Sequence, residues 1–367
     1  MKISKLLKPI LIVGLFITRM SAYGEVQTSI PVVHLQYDDT KLNRDSFCDA
    51  LFLLVDNGDS VFFKAQVRHR GATSAKFKKK SYAVKLYNEL GQKVDSSLMG
   101  MRSDNYWILD AMAIDPSRMR NRVAMDLWLD FSAKPYYALN EPMMCNGYRG
   151  KYVELYVNDA YNGLYSLMER VDRKQLKLKK YKNNVINGQL YKSVNWIGWT
   201  NDGVFRISES YDNSSSTWMR YEYAYPDPEE DGPVDWKPLY DDLYFAQTAK
   251  DKDFATQAES RFDIPVFIDY FLFAMLLSAR DNYGKNLFLS YYNINQSSKM
   301  LVTPWDLELS FGRQIDGPTE DPRGQMGLER TAIPASGRYI PILYTDAQTV
   351  CLFEIWRLLL GSTEKTV

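Results

Sequence analysis

Ala279-Arg280-Asp281-Asn282-Tyr283-Gly284-Lys285-Asn286 and, further on, Pro304-Trp305-Asp306-Leu307-Glu308 are the stretches whose surroundings decide the fold. Upstream of the first runs Ile264 to Arg280, a segment apolar nearly all round, with Pro265 suited to a helix start behind Asp263. That pattern predicts a buried helix. Asp263 and Asp269 argue against a membrane span. Between the two stretches, Asn286 to Tyr292 and Met300 to Pro304 read as strands joined by the polar turn Asn295 to Lys299. The order is therefore buried helix, acid, amide five residues on, hairpin, acid.

Towards the N-terminus the chain turns strand-rich. Ile30 to Gln36 is a β-rich run. In Val61 to Arg68, Phe63, Ala65 and Val67 alternate with Lys64, Gln66 and Arg68. Tyr82, Val84 and Leu86 share one strand face, and Ala83 and Lys85 share the other. Arg70-Gly71-Ala72-Thr73-Ser74 and the basic run Lys76 to Lys80 lie between these strands. A helix is predicted from Asp115 as N-cap and Pro116 as first helical residue, with Met119, Val123 and Leu127 recurring at i+4 beside Trp128. Tyr152 to Val157 and Leu164 to Met168 read as a hairpin turning at Asn162-Gly163. Residues 174–260 are less regular, with turn-rich loops at Asn213 to Thr217 and Pro226 to Pro233, and read as an aromatic-rich insertion. The expected class is α+β.

Composition narrows the functional classes. The 367 residues are 46% hydrophobic and 25% charged, which is the balance of a globular chain. A net charge of zero leaves no basic signature for nucleic acid. Lys2, Lys5 and Lys8, the apolar run Pro9 to Ile17, and small residues at Ala22 and Gly24 form a tripartite export signal over residues 1–24. The apolar run is too short to cross a bilayer, so no transmembrane segment is expected once the signal is removed. Cys48, Cys145 and Cys351 show no CxxC spacing, and with two His in the chain no zinc site can be read.

The acid–amide–hairpin–acid order is that of protein kinases: a catalytic-loop Asp, an Asn five residues later, and a metal-binding Asp after a hairpin. The residue types suit the chemistry. A triphosphate's charge is offset by Mg²⁺, which takes oxygen ligands from one or two carboxylates and from phosphate. Asn286 and Asp306 can supply such ligands, and Asp281 can accept the proton of an attacking hydroxyl. Tyr82-Ala83-Val84-Lys85 is like the kinase strand motif whose Lys grips phosphates, with Asp126 the nearest partner acid in the helix that follows. No GxGxxG is present; Arg70 with Gly71 is the candidate replacement.

The sequence resembles the spore coat protein H (CotH) kinase family. The likeness rests on Arg70 to Ser74 with Lys79 to Leu86, Arg120 to Ala124, Tyr152 to Asn158 with Gly163 to Tyr165, Asp281 to Asn286, and Pro304 to Gly312. It implies a two-lobed atypical protein-kinase-like fold: a strand-rich N-lobe over about 25–173, the insertion over about 174–260, and a C-lobe over about 261–367. It implies ATP with Mg²⁺ or Mn²⁺, and phosphorylation of Ser/Thr on extracytoplasmic or surface proteins by an exported enzyme. Asp281 would be catalytic; Asn286, Asp306 and Glu308 would face the metal; Arg70, Lys85, Tyr165 and Met300 would face the nucleotide. Two positions depart from the family pattern. Met300 stands where an aromatic is frequent, and Glu308 where Asp is common. The rival reading is a kinase-like scaffold that binds surface partners without transfer. A third, a carbohydrate-active protein, has only the aromatic-rich segment behind it.

Overall fold

A computed structural model describes residues 30–71, 74–195, 207, 209–230 and 232–313. The predicted export signal and Cys351 lie outside the described residues. The fold is α+β and is built around two apolar cores.

The first core fills a closed barrel. Its strands are β1 (Val32–Tyr37), β2 (Cys48–Asp56), β3 (Asp59–Arg70) and β4 (Ser81–Tyr87); a small ribbon of β5 (Ser96–Ser97) and β6 (Ser103–Asp104) then precedes β7 (Tyr106–Asp110), β8 (Gly150–Val157) and β9 (Ala160–Met168). The barrel order is β1-β2-β3-β4-β7-β9-β8, closed by a parallel pairing of β1 with β8. Closure leaves no unpaired strand edge. The alternation read in the sequence is what fills it: Val33, Leu35, Phe52, Val67, Val84 and Trp107 point inward and are fully buried.

Two local expectations change. The β8–β9 hairpin turns at Asn158-Asp159, both at positive φ (48° and 68°), as a two-residue hairpin requires. Asn162-Gly163 instead sits inside β9, where Leu155 pairs with Gly163 but Tyr156 pairs with Tyr161. The extra residue is a β-bulge, and Gly163 at φ 91° supplies its backbone conformation. The helix expected from Pro116 starts later, as α1 (Arg120–Phe131). Arg118 at φ 55° interrupts the path. Asp115 still acts as a cap, because its carboxylate accepts the N–H groups of Ser117, Met119 and Arg120. The Met119–Val123–Leu127 row faces solvent, while Arg122, Ala124, Met125 and Trp128 are the buried side.

After the short helix α2 (Arg173–Leu176) comes a second sheet, ordered β11-β12-β10-β13-β14. Its strands are β10 (Gln189–Ser193), β11 (Thr217–Trp218), β12 (Tyr221–Tyr225), β13 (Leu287–Tyr291) and β14 (Met300–Pro304). Helices α3 (Lys237–Thr248), α4 (Asp251–Arg261) and α5 (Ile264–Leu276) accompany it. Every residue of β13 and β14 is buried, which is why they read as continuous apolar runs. β10 is the middle strand and Tyr191 and Trp236 are fully buried, so much of 174–260 belongs to the same core as β13 and β14. Helix α5 follows the expected start, with Pro265 in its first turn, but Leu272 and Leu276 stand exposed. Among the described residues no helix is long and apolar enough to cross a membrane. Cys48 and Cys145 are buried free thiols.

Candidate functional site

The site forms where the end of α5 meets the open ends of β13 and β14. A short 3-10 turn, Arg280–Tyr283, follows α5 and carries Asp281. Asn282 holds this turn in place. Its side chain is fully buried, and its Nδ2 donates to the carbonyls of Asn286 and Trp305, 2.8 Å each. Tyr270 on α5 donates its hydroxyl to the Asn282 carbonyl at 2.6 Å. One amide therefore joins the turn to the strand ends on either side of it. Ser193 at the end of β10 completes the frame: its Oγ donates to the Gly284 carbonyl, and its own carbonyl accepts the Asn286 N–H.

Asn286 and Asp306 both adopt left-handed backbone, at φ 55° and 51°. Asn and Asp take this backbone more readily than other non-glycine residues, so each residue type suits the sharp change of direction at its strand end. The Trp305 N–H donates to the Asn286 carbonyl at 2.9 Å, so the two turns that carry Asn286 and Asp306 are braced against each other. Asp281 receives Lys285 Nζ at 3.0 Å and Asn286 Nδ2 at 3.4 Å on the same carboxylate oxygen.

The barrel supplies the opposite wall. Arg70 ends β3 and pairs with Ser81, which begins β4; its guanidinium lies 5.7 Å from the Trp305 ring centre. Gly71 is at φ 105°, and a Cβ there would fall 2.0 Å from Ser74 Oγ, so only glycine makes this corner. Asp110 at the end of β7 is buried and accepts the Ser81 hydroxyl at 3.0 Å. From α1, Asn121 Oδ1 accepts both the Tyr148 hydroxyl (2.6 Å) and the Leu307 N–H (3.1 Å). The cleft so formed is lined by Arg70, Asp110, Asn121, Asp281, Lys285, Asn286, Asp306 and Glu308, among others.

Its electrostatics are those of crowded acids. Burial pushes the Asp306 carboxyl up, and Asp110 adds to that; Arg70 offsets part of it. Glu308 is pushed well above the ordinary carboxylate range by burial, then by Asp110 and Asp306. Among the described residues neither acid has a hydrogen-bond or ion-pair partner. No three His, Cys, Asp or Glu side chains there converge closely enough to cage a metal alone. Two hard-oxygen acids short of positive charge fit the Mg²⁺ pattern in which substrate phosphates complete the coordination.

The family model described as CotH kinase protein matches residues 67–345, a span that contains every residue of this cleft. The chain belongs to the CotH kinase family. It is also similar to the inner spore coat protein H of Bacillus subtilis (strain 168), 21% identical over 294 residues, covering 79% of this chain and 72% of that protein.

Of the eight residues singled out in this CotH-family sequence, five meet in the cleft: Arg70, Asp281, Asn286, Asp306 and Glu308. Three do not. Lys85 lies on the outer side of β4, with Nζ 4.4 Å from the Phe47 ring centre and 5.6 Å from that of Tyr106. It shares its face with Ser81 but sits four residues along, roughly 13 Å at strand spacing. Asp126 does not reach it; that carboxylate pairs with Arg122. Tyr165 is fully buried in the barrel, and its hydroxyl donates to the Lys80 carbonyl at 3.0 Å, so its ring is not open to a base. Met300 is fully buried at the far end of β14, where its carbonyl accepts the Asp263 N–H.

Sequence reasoning missed Asp110, Asn121, Asn282 and Lys285 as site residues. Asn121, Asn282 and Lys285 all stand inside stretches that carried the family likeness. Asp110 had a weaker signal: an acid closing the short apolar run Tyr106-Trp107-Ile108-Leu109.

Proposed function

We propose that this chain is an exported CotH-type protein kinase, with a two-lobed kinase-like arrangement, that transfers the γ-phosphate of ATP to Ser/Thr of extracytoplasmic or surface proteins with Mg²⁺ or Mn²⁺. One observation carries the reading. Asp281 and Asn286 from one stretch and Asp306 from another, 20 residues further on, converge on one cleft, and the two stretches are tied together by Asn282. The tripartite N-terminus supports export, and the similar Bacillus protein is by its name a spore coat component.

Asn286 and Asp306 would hold the divalent cation, with Glu308 behind them. The cation's part is to offset triphosphate charge and orient the γ-phosphate. The residues of the chain do the rest. Arg70, on the glycine corner opposite, meets phosphate oxygens. The Asp281 carboxylate accepts the hydroxyl proton of the acceptor Ser or Thr as its oxygen forms the new bond to phosphorus and the bond to the ADP oxygen breaks. Lys285 keeps that carboxylate aimed into the cleft. Catalysis of this kind is chiefly positioning and electrostatics.

Transfer of labelled phosphate from ATP with Mn²⁺ or Mg²⁺, to the protein itself and to generic acceptors, tests the proposal. Asp281→Asn should bind nucleotide normally while transfer falls by roughly 10²–10⁴-fold. Equal transfer by the variant removes Asp281 from the chemistry. One observation favours the scaffold reading instead: Lys85, Tyr165 and Met300 all lie away from the cleft. Wild-type protein that binds surface partners yet transfers to no acceptor would decide for the scaffold.

A further inference from the structure

Helices α1 and α5 leave an apolar face towards solvent. Met119, Val123, Leu127 and Phe131 form an unbroken i, i+4 row along α1, and each is more than a third exposed. Leu272 and Leu276 extend it on α5, with Leu276 76% exposed. The helices are in direct contact beneath it: the Phe131 and Phe273 rings stack at 6.1 Å, and Trp128 meets Phe273 at 5.4 Å. A contiguous face of large apolar side chains on adjoining helices marks a surface that something covers.

The path of the chain indicates what covers it. The Phe311 N–H donates to the Leu277 carbonyl just past the end of α5, and Arg313 reaches the Ile114 carbonyl ahead of α1. The described chain therefore ends between the two helices, at one end of the exposed face. Beyond it the sequence contains Val350-Cys351-Leu352-Phe353-Glu354-Ile355-Trp356-Arg357-Leu358-Leu359-Leu360, in which Glu354 and Arg357 alone are polar. Two polar residues three apart put one polar stripe on an otherwise apolar helical pattern. The run is too short to cross a bilayer, which takes about 20 residues. It needs burial, and the tether permits it: the residues after Arg313 extend to roughly 120 Å. A tethered segment acts at an effective concentration on the order of millimolar, so it outcompetes a second molecule for the same face.

We infer that the run Val350 to Leu360 packs on the face made by α1 and α5. The cover would lie against the helix that carries Asn121, and so behind one wall of the cleft. The inference does not depend on the protein being a kinase.

Cys351 makes it testable in the full-length chain, because Cys48 and Cys145 are buried. Val123→Cys and Leu276→Cys are made separately at exposed positions, with Leu90→Cys in a distant barrel turn as control. After mild oxidation, most of the monomer of at least one of the first two variants should carry a disulfide to Cys351, identified by peptide mass. The Leu90 variant should not. Hydrogen exchange of 350–360 in the unmodified protein should be slowed. Links found only between two molecules would overturn the inference in favour of a second copy. Protection that appears only with phospholipid vesicles would overturn it in favour of a membrane surface. Free-chain exchange, or protection with neither link formed, overturns it outright.

Discussion

Asn282→Ala is the sharpest test of how the cleft is held. The amide donates to the Asn286 and Trp305 carbonyls and is fully buried. The Asn286 carbonyl keeps the Trp305 N–H after truncation, so it loses only a second bond, about 0.5–1.5 kcal/mol. The Trp305 carbonyl loses its one partner among the described residues and is left buried, at about 1–3 kcal/mol. Among the described residues Asn282 Oδ1 accepts no hydrogen bond, and removing that oxygen returns part of the loss. The net expectation is about 2–3 kcal/mol of destabilisation. Urea unfolding followed by tryptophan fluorescence measures it directly. Freed from this brace, the left-handed residues Asn286 and Asp306 should relax, and cation-dependent nucleotide binding should weaken more than stability alone accounts for. Asn282→Asp removes the donor and adds a buried charge, so it should be worse than alanine. An alanine variant within about 0.5 kcal/mol of wild type, the range of an ordinary surface change, would refute the reasoning.

Asp306→Asn should abolish divalent-cation-dependent ATP binding in calorimetry while leaving metal-free stability at pH 7 unchanged or higher, since a carboxyl pushed up by burial and Asp110 costs energy when ionised; a lower metal-free melting temperature would contradict this. Lys85→Ala should leave nucleotide binding intact and cost about 1 kcal/mol or less, the value of its contact with Phe47; a large rise in Kd would return Lys85 to the site. Burial alone would raise Asp172, but its bonds to Arg102 outweigh that and hold it down to about 2. Its contribution is therefore complete above the ordinary carboxylate value and is lost as pH falls from about 4 to about 2, roughly 2 kcal/mol in all. Asp172→Asn should lose that amount at pH 7 and flatten the acid limb of a denaturation-versus-pH profile; an unchanged limb would place the acid sensitivity elsewhere.

What could be read from the sequence follows from how each residue earns its signal. α5, β13 and β14 stand out because long apolar runs bounded by polar turns leave few alternatives, and Asp281 and Asp306 stand at the ends of those runs. Lys85 was misplaced for want of register. Face parity puts it with Ser81, but only pairing shows that the cleft lies at the Arg70–Ser81 end of that strand pair. Asn162-Gly163 suits a hairpin turn and a bulge equally, and the preference of Asn158-Asp159 for left-handed backbone decided between them. β10 was hidden because a strand buried on both faces shows no alternation, and Gln189 and Ser193 break its apolar run. Asn121 and Asn282 each act through two hydrogen bonds to distant or irregular segments, which leave no periodic trace.

Asn121 accepts the N–H of Leu307 from 186 residues away along the chain. During synthesis at about 5–20 residues per second, that gap lasts roughly 10–40 s. The barrel strands, all complete by Met168, can close well within that time, as can α1. The wall of the cleft that Asn121 supports then waits for a partner still to be made. A chain that folds as it is made would pass through a stage with a finished barrel and half a cleft, its Arg70, Asp110 and Asn121 side facing water. A factor that recognises the newborn protein would meet that half-cleft before any nucleotide does.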